Sequence, residues 1–480
     1  MEAKLDEQAL DEKLEALEKA RAWSPRTISK LETFVRTADD FALFRVNPLR
    51  FGLDKNIAEA EVIDLFLHAA KVGLFQMTWN LMCPSCGSPV HSFAELKNLH
   101  ADYYCRLCDL HSTAALDDYI QVAFTVSPLV RDIRFHHPDS LSAEEYAIKY
   151  HYHRGAHLPN GGPEFGDFIS SVLSYIDYIE PGETKSVELE LGEGTLTSYE
   201  FTRDIIEHVA VAGEPSTQPA TIHFTLQDRR FTTEPSHLSP GRLTITLENR
   251  EAKRALVALY HQPPDAESVR IEFDPFLTGK RLVNTQTFRD LFRSEVIQSG
   301  DGLSVKDLTV LFTDLKGSTA LYERIGDLNA FALVRQHFDS LGSVIANQSG
   351  AVVKTIGDAV MATFLDPADG VKAALRILME IEQLNRGLGS QDVILKIGLH
   401  KGALIAVTLN DRLDYFGQTV NIASRVQGLA DAEEIYLTDD IYESPGVQAL
   451  LTGYQVSSGS KQLRGIEREV KVYKIAYHPA

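Results

Sequence analysis

No run of apolar residues in this chain approaches the roughly 20 that a membrane-spanning helix requires. The start, MEAKLDEQALDEK, is acidic and lacks the apolar core of a secretory signal. These two absences lead to the expectation of a cytoplasmic protein. Positive charge is also short: 47 Lys and Arg stand against 67 Asp and Glu, a formal net charge of -20. Nucleic-acid backbones and anionic lipid surfaces both select basic faces, so the balance argues against either as a main partner. No GK[ST] ends a glycine-rich loop, which excludes a Walker-type phosphate loop. No internal repeat and no long low-complexity segment is present. The apolar fraction of 44% and charged fraction of 24% are those of a globular protein. At 480 residues, two to four domains are expected.

Cysteine is scarce, four in all, and the four are spaced as two C-x-x-C knuckles: Cys83-Pro-Ser-Cys86 and Cys105-Arg-Leu-Cys108. Each knuckle offers two thiolates, and four thiolates close a tetrahedral zinc site with no open position. One structural zinc in a ribbon is the expectation. A redox reading of one C-x-x-C would leave the second pair unexplained. His136, His137, His151, His153 and His157 cluster in sequence. Without an acidic ligand pattern they read as surface or core histidines rather than a second metal site.

Composition shifts divide the chain. Residues 1–82 read as helical. Leu10, Leu14 and Leu17 form one packed stripe too short for a convincing coiled coil, and Ala58–Val72 is an amphipathic helix closed by Gly73. LFQMTWNLM is a strand entering the knuckles at 83–116. A helix followed by a strand also suggests a winged helix, a minor reading given the acidic charge. Residues 117–275 carry YIQVAFTV, KSVELEL, ATIHFTL, RLTITLEN and RALVALYH between loops, the pattern of a mostly antiparallel β-sandwich. Residues 276–302 are a connector, with Phe288, Leu291 and Phe292 spaced for a docking helix. From 303 to 480 strands and helices alternate, predicting a two-layer α/β domain with helices on one face of its sheet. The fold class is therefore multidomain α+β.

Polar residues concentrate in that last segment. Asp314 ends a strand in DLTVLFTDLKGST, and Asp358 sits at the hairpin turn of AVVKTIGDAVMATF; paired carboxylates suit a two-cation site for a polyphosphate. Leu315 and Lys316 follow Asp314, and then Gly317, Ser318 and Thr319, small enough at the turn for backbone N–H groups to approach phosphate. Lys354 precedes Asp358 by four residues on a strand, placing both on one face. Asp414 lies in RLDYFGQTVNIASR, followed by Asn421 and Arg425 at i and i+4 on a helix. Lys461 and Arg464 lie in SGSKQLRG. His400, in IGLHKG, reads as a strand-end residue outside the site.

FTDLKGST, VKTIGDAVMATF and DYFGQTVNIASR, in that order, resemble the catalytic domain of the class III nucleotidyl cyclases. The resemblance implies a ferredoxin-like core working as a head-to-tail homodimer. It implies two Mg2+ or Mn2+ ions on Asp314 and Asp358 with the Leu315 carbonyl, and purine recognition by Lys354 and Asp414. Asn421 would position the ribose and Arg425 would stabilise charge on the α-phosphate. A Lys donor with an Asp acceptor complements adenine, whereas guanylate cyclases carry Glu and a small residue such as Cys there. The implied substrate is ATP and the product 3′,5′-cyclic AMP. No dedicated general base is evident. The family's L-K-G turn reads Leu463-Arg464-Gly465 here, so Arg464, or Lys461 instead, would hold the terminal phosphates. The alternatives are a guanylate cyclase and a catalytically silent nucleotide-binding or scaffold protein on the same fold. A zinc-ribbon transcription factor is disfavoured by charge. The N-terminal region resembles, more weakly, zinc-ribbon regions of some bacterial cyclases. It is expected to bind a protein or small-molecule regulator, with TFRDLFRSE coupling it to the catalytic domain.

Overall fold

A computed structural model of the chain describes residues 4–83, 85, 87, 89–99, 102–106, 108, 110–113, 116, 119–264, 271–295, 297, 302–388 and 393–476. Among these residues no helix is long and apolar enough to cross a membrane.

Asp6 caps α1 (Glu7–Ala20) by accepting from the Ala9 N–H, and Leu10, Leu14 and Leu17 are buried. The stripe expected from the sequence is thus packed into the chain's own core. Pro25, which ends the first helical pattern, opens α2 (Pro25–Thr37) at its first turn, where its missing N–H costs nothing. Helices α3 (Pro48–Lys55) and α4 (Glu59–Lys71) follow, and Gly73 takes a left-handed φ of 82° after α4. The strand β1 (Phe75–Met82) is the centre of a three-stranded sheet, flanked by β2 (Pro89–Phe93) and β5 (Ile120–Val126). Between those two, β3 (Asp102–Cys105) and β4 (Leu110–Thr113) form a hairpin. Here the structure corrects an expectation: β5, grouped by sequence with the β-rich region, pairs antiparallel with β1 over seven residues. All seven β5 residues are buried, so alternation gave no clue to its partner.

The β-rich region is preceded by a π-helical turn at Glu145–His151 and by α5 (Phe165–Val172). Its strands are β6 (Leu173–Ile179), β7 (Thr184–Leu191), β8 (Gly194–Glu200), β9 (Ile205–Val211), β10 (Ser216–Gln227), β11 (Arg230–Glu234), β12 (Gly241–Asn249) and β13 (Ala255–Gln262). One sheet runs β7-β12-β10-β11; the other contains β9-β8-β13-β6. Their inward side chains, among them Leu196, Val209, Phe224, Ile245 and Val257, share one core. The sandwich is mostly antiparallel, but β10 and β12 run parallel.

The connector holds α6 (Gly279–Val283) and α7 (Gln286–Leu291). An eight-stranded sheet follows, containing β14 (Leu303–Leu315), β15 (Gly350–Ile356), β16 (Ala359–Phe364), β17 (Leu395–Leu409), β18 (Arg412–Phe416), β19 (Glu434–Thr438), β20 (Gln455–Gln462) and β21 (Glu469–Ala476). Their order is β15-β16-β14-β17-β19-β21-β20, with β18 paired to β17. The longer helices are α8 (Ser318–Ile325), α9 (Asp327–Asn347), α10 (Pro367–Leu388) and α11 (Gln418–Gln427).

Strand parity decides which face each helix covers. Leu311 packs with the core under α9 and α10, whereas its neighbours Val310 and Phe312 belong to the core that includes Ala423 of α11. The expectation of helices on one face is therefore corrected: α11 lies on the opposite face. Gly398 permits its close approach, because a Cβ there would fall 2.2 Å from the Gln427 nitrogen. The same face carries the N-terminal core. Trp79, Leu282, Val283 and Phe288 form one cluster with Leu404, Leu413 and Tyr415.

Candidate active site

Asp314 is the penultimate residue of β14, paired in register with Lys396 of β17. Asp358 occupies the β15–β16 turn, where Gly357 takes φ 63°, a conformation that favours glycine. The Asp314 carboxyl is pushed above the usual range, first by burial and then by the charge of Asp358; Lys396 opposes both. Among the described residues, Oδ2 of Asp358 is buried with no hydrogen-bond partner. Two carboxylates close enough to repel, one with an orphaned oxygen, form a donor set that a hard divalent cation would satisfy. Leu315, the last residue of β14, follows directly.

The phosphate-loop residues are divided by the fold. Gly317 adopts φ 74° at the start of α8, and Ser318 is its first residue. The Lys316 ammonium is drawn away into an ion pair with Asp431. The side chain of Thr319 lies outside the described residues.

Lys354 and Asp414 meet: Nζ donates to Oδ2 across 2.6 Å, with the Asp414 side chain 7% exposed and that of Lys354 32%. The carboxylate's other oxygen accepts from the Tyr415 N–H at 2.8 Å. On α11, Asn421 is exposed and Arg425 half-buried, one turn apart. The turn after β20 packs on this helix: Leu463 and Ile466 share a core with Ile422 and Val426. A Cβ on Gly465 would lie 3.5 Å from Nη1 of Arg425. Arg464 is thus carried by the turn that abuts Arg425, while Lys461 sits on the edge strand β20 opposite Val470. The groups acting most strongly on Asp314 are Asp358, Lys396, the Leu315 N–H and Gln427.

Two neighbours escaped the sequence reading. Lys396 faces Asp314 across the ladder, a partner that only register reveals. His337 is fully buried on α9, with both ring nitrogens unpartnered and its pKa lowered to about 4 by burial, against the opposing pull of Asp358. Its signal is a histidine on the stripe Ala330, Val334, Leu341. His400 is buried and bonded to Thr438 Oγ1 at 2.9 Å.

At the knuckles, the sulfurs of Cys83, Cys105 and Cys108 lie within 4.8 Å of one another, and Cys83 Sγ is 3.9 Å from Cys108 Sγ. Thiolates at about 2.3 Å from a tetrahedral zinc stand about 3.8 Å apart, so the donor set fits the ion. Cys86 lies outside the described residues. The clustered histidines do not join them: His136 and His137 contact Asp132, and His151 contacts the Tyr199 hydroxyl.

Residues 7–290 match the family described as "Family of unknown function (DUF5939)", and residues 303–476 match "Adenylate and Guanylate cyclase catalytic domain". Over 204 residues the chain is 28% identical to a pH-sensitive adenylate cyclase of Mycobacterium tuberculosis, covering 39% of this chain and 46% of that protein. An adenylate cyclase of Anabaena cylindrica is 25% identical over 187 residues, 36% of this chain and 37% of that one. The chain therefore spans less than half the length of these relatives. Among solved structures, the adenylyl cyclase CyaB from P. aeruginosa is 24% identical with a TM-score of 0.32, covering 37% of this chain and 96% of that chain. The guanylate cyclase domain of RhGC from Catenaria anguillulae is 22% identical with a TM-score of 0.32, covering 36% of this chain and 97% of that chain.

Proposed function

The chain belongs to DUF5939, a family of unknown function, and we propose that it is an adenylate cyclase whose N-terminal region regulates a C-terminal cyclase catalytic domain. The observation that carries the adenine reading is the Lys354–Asp414 pair, a donor and an acceptor held together at 2.6 Å. Lys354 donates to the purine ring and Asp414 accepts from its 6-amino group. A guanine edge presents a carbonyl where adenine has the amine, which leaves the buried Asp414 facing an acceptor.

Asp314 and Asp358, with the Leu315 carbonyl, are the residues that would hold two divalent cations. When bound, such cations neutralise triphosphate charge and acidify the ribose 3′ hydroxyl. Asn421 orients the ribose so that the 3′ oxygen stands in line with the α-phosphorus. The 3′ proton passes to water or to a substrate phosphate as the O3′–Pα bond forms; the bond from Pα to the bridging oxygen breaks, releasing pyrophosphate and leaving cyclic AMP. Arg425 stabilises the charge that develops on the α-phosphate, and Arg464 holds the departing phosphates. The metal aspartates of one subunit serve the purine and transition-state residues of its partner, so a homodimer carries two equivalent sites. Cys83, Cys86, Cys105 and Cys108 hold one structural zinc.

The test is purified chain with ATP or GTP and Mg2+ or Mn2+, followed by nucleotide chromatography. Cyclic AMP from ATP, abolished by Asp358→Ala, is expected. No cyclic nucleotide with either metal from a verified dimer overturns the enzymatic reading in favour of a nucleotide-binding protein.

A further inference from the structure

The short connector helix α7 is bonded to both strands that carry the adenine pair, at residues flanking each. Oε1 of Gln286 accepts from the Val352 N–H at 2.8 Å, two residues before Lys354 on β15. Nη1 of Arg289 donates to the Leu413 carbonyl at 3.1 Å, one residue before Asp414 on β18. The Arg289 guanidinium also stands 5.2 Å from the ring centre of Tyr415, one residue after Asp414. Burial raises the Tyr415 phenol pKa, opposed by the charge of Arg289 and by a side-chain hydrogen bond to it, so the guanidinium is held at this ring as well.

The other side of α7 is anchored in the N-terminal region. Nε of Arg289 donates to the Val283 carbonyl at 2.9 Å, at the end of α6. Thr287 Oγ1 donates to Asp64 of α4 at 2.5 Å, and Phe288, 1% exposed, meets the Trp79 ring edge-on at 6.0 Å. Between α7 and the strands lies a cleft of about 250 Å³ lined by Gln286, Arg289, Val352, Lys354, Arg412 and Leu413. Two directed hydrogen bonds span that cleft, while beside it Phe288 shares an apolar core with Leu413 and Tyr415. β15 and β18 are not hydrogen-bonded neighbours in the sheet, so their spacing is not set by a shared ladder.

We infer that Arg289 and Gln286 are positioning residues for purine selection: they set the spacing of Lys354 and Asp414. Through them the N-terminal region acts on nucleotide choice. The inference rests on the adenine reading of that pair. A shift of α4 or α6 moves α7, and α7 moves Leu413 and Val352 relative to each other. Misplacement of the pair weakens the contact to the 6-amino group before it affects charge stabilisation at the phosphates.

The experiment compares ATP with inosine triphosphate, which lacks the 6-amino group, in the full chain. Selectivity is read as the ratio of kcat/KM values and, independently, as the ratio of equilibrium affinities for their non-hydrolysable analogues. Arg289→Ala should lower both ratios about tenfold, the loss of one hydrogen bond to a charged group, through KM rather than kcat. Gln286→Ala should shift them in the same direction, and Arg289→Lys should restore part of the loss. In an Asp414→Asn background Arg289→Ala should change the ratios no further. Should Arg289→Ala fail to fold, Gln286→Ala and Arg289→Lys decide. Ratios within twofold of the parent, or a fall in kcat at unchanged selectivity, overturn the inference. A wild-type chain that binds ATP selectively without cyclising it sinks the cyclase reading, and the affinity ratios then judge Arg289. A wild type that binds both purines equally overturns both.

Discussion

Lys354 and Asp414 are joined by a 2.6 Å hydrogen bond although they lie on strands that do not pair. Among the described residues, the bond crosses from β15, which pairs only with β16, to β18, which pairs only with β17. Each partner therefore constrains the other's strand, and each is left exposed to a large cost if its partner is removed. Asp414→Asn keeps the shape but removes the charge. It should cut kcat/KM for ATP by about 10- to 100-fold, the value of a charged hydrogen bond. The double change Lys354→Glu with Asp414→Cys should reverse the preference toward GTP. Parallel kinetics with the two nucleotides checks this, and an unchanged ATP preference in the double variant would remove the pair from purine recognition.

The knuckle prediction concerns metal rather than nucleotide. One zinc per chain should be found by elemental analysis of protein purified without added metal. Cys83→Ser or Cys105→Ser should abolish it, because either change removes one of the three thiolates that lie within 4.8 Å of one another. Zinc-dependent modules lose folding free energy with the ion. Protease should therefore cut the variants between 83 and 113 first, while the sandwich and cyclase domain resist. Full retention of zinc in either variant rules out the four-cysteine site.

How much of this was legible in the sequence follows from how local each feature is. Asp314, Asp358, Lys354, Asn421 and Arg425 sit in short contiguous motifs whose resemblance to the class III cyclases singles them out; spacing by itself places only Asn421 and Arg425 on one helix face. The bond from Arg289 to Leu413 spans 124 residues, and no periodicity announces it. β20 was not read as a strand because QVSSGSKQ has almost no apolar side chain. It is an edge strand exposed on both faces, held by its ladder with β21. α11 was assigned to the wrong side of the sheet because its apolar stripe shows that one face is buried, not against what. The alternation of Val310, Leu311 and Phe312 between two cores settles it.

His400 yields a pH prediction independent of the site. Its side chain is 6% exposed, and burial lowers its pKa from 6.5 to about 4. The unfolded chain binds a proton near pH 6.5 that the folded chain refuses until about pH 4, so stability rises with pH across that window. The contribution is fully present above pH 6.5 and is lost as pH falls through the folded value. A shift of this size corresponds to about 3 kcal/mol. His400→Asn, which still reaches Thr438, should flatten the stability–pH slope between those limits by one proton. Chemical denaturation at several pH values measures it, and an unaltered slope would assign the titration elsewhere.

The proposed division of the site between two subunits makes the sharpest prediction. Under the proposed roles, Asp358→Ala removes a metal ligand and Arg425→Ala a transition-state donor, and each variant's homodimer should lose about 100-fold or more in kcat. If both residues served one site within a single chain, mixing the two variants would restore nothing. If each site takes Asp358 from one subunit and Arg425 from the other, a heterodimer holds one doubly broken site and one intact site. Random assortment makes half the dimers heterodimers, so co-expression should recover about a quarter of wild-type activity. The recovered activity should have the wild-type KM for ATP, because the surviving site is unmodified. Differential affinity tags on the two variants isolate the heterodimer, whose activity per dimer should be about half that of wild type. Failure of the isolated heterodimer to turn over ATP would place both residues in one subunit's site. The exposed Asn421 and half-buried Arg425 would then need a different role.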